Sequence, residues 1–155
     1  MRDAVDATGR EIKIVSNAEA AELGDVSLLK DRHSRGLLDD ENLLCAAAAR
    51  NGDLEMLKAL RADKWPWNEG TCANAAYGGH LEVLKWARAN DCLWDWETCA
   101  NAGSGGHLET LKWARENGCP WDERTCRFAA WHGHFEVMKW ARANGLGEAW
   151  DELFR

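Results

Sequence analysis

The sequence predicts an all-α fold, a helical-repeat solenoid of stacked helix-turn-helix units. Three observations predict it. First, Cys45, Cys72, Cys99 and Cys126 are spaced 27 residues apart. The same step links Trp67, Trp94 and Trp121; His80, His107 and His134; and Trp86, Trp113 and Trp140. A fixed period of this length is the signature of a repeat architecture. Second, each period holds two short stretches framed by helix-start and helix-stop residues. Third, a unit this small has no core of its own and must stack on its neighbours.

Residues 1–16 read as an N-terminal extension, in which GREIKIV at 9–15 alternates as a short strand does. Residues 17–39 read as a degenerate N-terminal capping repeat, because GDVSLLK at 24–30 matches GDLEMLK at 52–58. Full repeats follow at 40–66, 67–93, 94–120 and 121–147. Residues 148–155 read as a C-terminal cap or truncated repeat, since Trp150-Asp151-Glu152 echoes Trp121-Asp122-Glu123.

The unit at 94–120 shows the design. Asp95 is placed to cap the first helix, and Trp94 with Cys99 has hydrophobic-staple spacing. Gly105-Gly106 permits the left-handed backbone that ends it. The second helix, HLETLKWAREN, puts Glu109 in its first turn and Arg115 in its last, complementing the helix dipole. Asn117-Gly118 and Pro120 stop it. His80, His107 and His134 stand where the two earlier units have Asp53 and Asp25. A neutral imidazole is therefore expected to cap the second helix as those carboxylates do. The columns Ala48/Ala75/Ala102/Ala129 and Ala49/Ala76/Gly103/Ala130 let the first helices approach closely. Leu81, Leu84, Trp86 and their equivalents supply bulk.

The stretch AAYGGHLEVLKWARAN at 75–90 resembles the ankyrin repeat, with its alanine pair, Gly-His turn and Leu-Glu-Val-Val-Lys-like second helix. The resemblance covers residues 40–147, and 17–39 more weakly. The unit is shorter than the usual ankyrin length of about 33 residues. Thr-Cys-Ala-Asn at 71–74 and 98–101, and Thr-Cys-Arg-Phe at 125–128, stand in place of Thr-Pro-Leu-His. The connector, GCPWDE at 118–123, is too short for the usual projecting β-hairpin. The array looks like the short, Trp-rich ankyrin-like arrays of giant viruses, algae and other protists. The resemblance implies a non-enzymatic protein-binding scaffold whose first helices line a concave face.

The formal net charge is −7 and no segment is basic, which argues against a nucleic-acid partner. No stretch approaches the roughly 20 apolar residues of a membrane helix, and MRDAVDATGREIKIV does not read as a secretory signal. The expected compartment is the cytoplasm, with the nucleus second. There the six cysteines stay reduced and act as small buried apolar groups. Equivalent cysteines or histidines in successive repeats lie about 8–10 Å apart, too far for a disulfide or a shared metal. Local pairing of Cys92 with Cys99 and of Cys119 with Cys126 stays open. Glu55/Lys58, Glu82/Lys85, Glu109/Lys112 and Glu136/Lys139 read as solvated surface pairs. With no nucleophile constellation, GxGxxG or P-loop, neither an enzyme nor a cofactor or small-molecule substrate is expected. A metal or redox module built on periodic Cys and His is the distant alternative.

Columns that repeat hold the stack; columns that vary are free to face a partner. The varying columns are Arg50/Tyr77/Ser104/Trp131, Asn51/Gly78/Gly105/His132, Asn42/Glu69/Trp96/Glu123 and Leu43/Gly70/Glu97/Arg124. The expected protein-binding site is the concave face carrying Arg50, Tyr77, Trp96, Ser104, Arg124, Arg127, Trp131 and His132. Two competing readings accompany it. Trp131 and Phe128 would simply close the end of the stack, or the chain would be a permanent subunit of a larger assembly.

Overall fold

The structure, a computed structural model, describes residues 3–5 and 7–147. The chain begins with two short antiparallel strands, β1 (Asp3–Val5) and β2 (Glu11–Lys13), with Ala4 opposite Ile12. The alternating stretch at 9–15 thus contributes one strand of a small hairpin, and the rest is helical. The helices come in pairs: α1 (Asn17–Glu22) with α2 (Val26–Ser34), α3 (Leu43–Arg50) with α4 (Leu54–Ala62), α5 (Glu69–Tyr77) with α6 (Leu81–Ala89), α7 (Trp96–Gly105) with α8 (Leu108–Glu116), and α9 (Glu123–Trp131) with α10 (Phe135–Ala141). A wide turn, Arg142–Leu146, follows α10. The expected cap or truncated repeat at 148–155 lies outside the described residues.

Side-chain caps start most of these helices, because the first N–H groups of a helix have no partner within it. Asn68, Asp95 and Asp122 accept from the N–H two residues on, opening α5, α7 and α9. Asp25 and Asp53 accept from the third N–H, opening α2 and α4. Ser16 and Glu19 form a reciprocal capping box on α1.

The first helices of successive units (α1, α3, α5, α7, α9) lie side by side in one continuous row. The second helices α4, α6, α8 and α10 pack mainly on the first helix of their own unit, whereas α2 packs equally on α1 and α3. The cause is side-chain size. Ala48, Ala49, Ala75, Ala76, Ala102 and Ala129 are fully buried along the row. At Gly103 even a methyl group would come within 2.8 Å of the Thr125 carbonyl oxygen. The second helices carry Leu and Trp instead and stay further apart, so the first-helix side is the short, inner side of the stack.

On the outer side, each connector tryptophan meets the tryptophan of a second helix edge to face or tilted. Trp67 and Trp86, Trp94 and Trp113, and Trp121 and Trp140 have ring centroids 5.8, 5.9 and 5.8 Å apart. Arg61, Arg88 and Arg115 each lie over the connector indole, at 4.3, 4.2 and 4.5 Å, and donate to the carbonyls of Trp65, Cys92 and Cys119. These arginines therefore do more than answer the helix dipole: they tie each connector to the helix before it.

Thr71, Thr98 and Thr125 are fully buried, and their hydroxyl oxygens have no hydrogen-bond partner among the described residues. A buried hydroxyl without a partner is destabilising relative to an isosteric methyl group. Thr98→Val is expected to raise unfolding stability by about 1 kcal/mol, read from the shift of the urea midpoint at unchanged slope.

Candidate functional site: the inner face and its junctions

The junctions between repeats decide which side chains remain available on the inner face. The histidines do not cap their helices: none of His80, His107 and His134 bonds the first turn it precedes. Nε2 of His80 instead lies 3.0 Å from the carbonyl oxygen of Arg50, at the end of the preceding repeat's first helix. A carbonyl only accepts, so Nε2 carries the proton. The His107 ring lies beside the Tyr77 carbonyl in the equivalent place. Each imidazole enters a notch floored by glycine. A Cβ at Gly52, Gly79 or Gly106 would sit 2.5, 2.4 or 2.4 Å from Nδ1 of His80, His107 or His134. These glycines also hold φ near +70°, a conformation that L side chains rarely adopt. At the first junction Asn51 takes over, donating from Nδ2 to the Gly24 carbonyl at 2.7 Å. The expectation of a capping imidazole is therefore corrected. Asp is short and folds back on its own helix, whereas the longer imidazole reaches the neighbouring unit.

One varying column changes meaning as a result. Gly78 and Gly105 leave room for the rings: a Cβ at Gly78 would lie 2.4 Å from Cδ2 of His80, and one at Gly105 would lie 2.3 Å from the Tyr77 carbonyl oxygen. Their variation from Asn51 and His132 reflects packing within the stack.

The remaining inner-face residues form two groups at opposite ends of the first helices. At the C-terminal ends, the Arg50 guanidinium lies 3.7 Å from the Tyr77 ring centroid and donates to Asn74 Oδ1 at 3.3 Å. Nδ1 of His132 lies 2.8 Å from the Phe128 carbonyl and 3.3 Å from Ser104 Oγ, joining the third and fourth repeats. Trp131 leans on Phe128 with 5.5 Å between centroids yet remains 69% exposed. At the N-terminal ends, the Arg124 guanidinium lies 3.2 Å from the Trp96 ring centroid and pairs with both oxygens of Asp122. Those bonds hold the Asp122 carboxyl below its usual range. Burial, then the like charges of Asp95 and Glu69, raise the Glu97 carboxyl. The two groups are about a helix length apart, roughly 13 Å for nine residues. Arg127 belongs to neither: its equivalents Ala46, Ala73 and Ala100 are buried, while it is half-buried in the last repeat.

All six cysteines are buried free thiols. The local pairs at 92/99 and 119/126 are not the neighbours the fold creates: Cys92 lies against Cys72, and Cys119 against Cys99. Each connector folds back under its own first helix and brings together residues far apart in sequence. Among the described residues, no three His, Cys, Asp or Glu side chains converge as a metal site, and no helix is long and apolar enough to cross a membrane. The Glu/Lys pairs on the second helices lie 3.4–3.8 Å apart with their carboxylates at the surface.

Residues 98–142, which span most of the third and fourth repeats, match the family model described as ankyrin repeats (many copies). No curated protein matches the chain.

Burial lowers the pKa of His107 from the ordinary 6.5, with His80 and His134 acting in the same direction and the Tyr77 carbonyl opposing. A ring that binds its proton more weakly when folded contributes stability that is complete above 6.5 and lost as pH falls through the folded-state value. His107→Gln keeps a donor without the titration. Its urea midpoint is expected to fall less than that of the parent between pH 7 and pH 5.

Proposed function

We propose that this chain, whose third and fourth repeats match the ankyrin-repeat model, is a non-catalytic module that binds another protein on its first-helix face. Ankyrin repeats generally mediate protein–protein interaction. The observation that carries the finer reading is the pair of ordered aromatic–guanidinium stacks on that face, Arg50 on Tyr77 and Arg124 on Trp96. Trp, Tyr and Arg are the residue types that dominate binding energy in protein interfaces. Side chains already held in place lose less freedom when a partner arrives. The proposed site keeps Arg50, Tyr77, Trp96, Ser104, Arg124, Trp131 and His132, with Arg127 at its margin. The proposed setting is the cytoplasm, with the nucleus as an alternative.

A second reading, a permanent subunit of a larger assembly, draws support from the last repeat. Trp131 and Phe135 are exposed there, and the Gly133 notch, the counterpart of those holding histidines, has nothing within 4 Å among the described residues.

Two double variants separate the readings, using the partner captured from the native cell and quantified by mass spectrometry. Tyr77→Ala with Trp96→Ala is expected to weaken capture about tenfold or more, while far-ultraviolet circular dichroism stays unchanged. Unchanged capture with that variant sinks the face-binding reading. Loss only with Trp131→Ala and Phe135→Ala moves the contact to the end of the stack and favours the assembly reading.

A further inference from the structure

We infer that the two central repeats each carry a dithiol, Cys72 with Cys92 and Cys99 with Cys119, that a peroxide closes to an intrachain disulfide. The four full repeats all press the same first-helix position against the same connector position. In the first, Cys45 Sγ points at the Trp65 carbonyl at 3.9 Å. In the last, Cys126 shares a small core cluster with Leu146. In the two between, the connector position is itself cysteine. Cys72 and Cys92 sit fully buried in one core cluster and Cys99 and Cys119 in the next, the two thiols of each pair being neighbours. The connector sulfurs are oriented alike: Cys92 Sγ donates to the Asn68 carbonyl and Cys119 Sγ to the Asp95 carbonyl, each at 3.4 Å. Packing alone does not require sulfur at this position, since Trp65 and Leu146 fill it at the ends of the stack.

The chemistry needs a small oxidant, because all four sulfurs are fully buried. A thiolate attacks peroxide, its sulfur becomes a sulfenic acid, and hydroxide leaves. The second thiol then attacks that sulfur; the S–S bond forms and the sulfenic oxygen departs as water. Two thiols and one peroxide give one disulfide and two waters. Cys92 is suited to the first step, because the neighbouring Cys72 thiol, aided by Arg88, makes it more acidic against the opposing effect of burial. Access requires the connector to open. It is a surface segment in which Asp91 holds φ +65°, an unusual value for a side-chain-bearing residue.

The test is peroxide treatment of the reduced full chain, alkylation of the remaining thiols, digestion and mass spectrometry. The expected products are the peptides Cys72–Cys92 and Cys99–Cys119, each lighter by two hydrogens, with Cys45 and Cys126 alkylated. Six alkylated cysteines, at a peroxide dose that oxidises the urea-unfolded chain, overturn the inference. So do bridges between other partners, or oxygen addition without a bridge. Cys92→Ser is expected to leave Cys72 alkylated and the Cys99–Cys119 bridge intact; a new bridge from Cys72 in that variant also overturns it.

Discussion

A ring from one repeat enters a glycine-floored notch and hydrogen-bonds the carbonyl at the end of the preceding first helix; the rest of the stack depends on this junction. A 27-residue unit cannot fold around itself. Its stability lies in contact with its neighbours, and those contacts must be directional for the units to keep one register. The alanine row brings the first helices close but is smooth, and smooth apolar contact specifies position poorly. The imidazole supplies the missing direction. It satisfies a helix-end carbonyl, fills the notch and fixes the start of the second helix relative to the previous unit. Glycine is required twice over, for its positive φ and for the space its side chain would have taken.

The curvature follows from the same division of labour. Small residues on the first helices shorten one side of the stack, and the tryptophan–tryptophan contacts roofed by arginine hold the other side apart. The small residues recur in all four full repeats and the tryptophan pairs in the last three. The face left over is inner and narrow, and its varying residues meet in pairs: guanidinium on phenol at one edge, guanidinium on indole at the other. Under the proposed function, that arrangement suits a partner laid across several first helices better than one held in a single pocket.

Much of this architecture was legible in the residues. The 27-residue step pointed to stacked helix pairs, Asp95 marked a helix start, and Gly106 a helix end. Three features were not legible, each for a geometric reason. Asp53 and His80 occupy one column, yet only the longer ring reaches the preceding unit. Gly78 and Gly105 looked like free variation, because the ring they admit comes from the second helix. Cys72 and Cys92 are separated by most of a repeat and meet only because the connector folds back. For the face itself, the sequence named the aromatic residues, but not that Arg50 and Arg124 lie on them.

The central claim is that the histidine junction, and not the alanine row alone, couples successive repeats. A double-mutant cycle of His107→Ala and Gly79→Ala, measured by urea unfolding, tests it most directly. If His107 fills the Gly79 notch, the Gly79→Ala penalty shrinks when the ring is absent, giving a coupling of about 1 kcal/mol or more. Additive penalties would contradict the account, because they would mean that the ring and the notch do not act together.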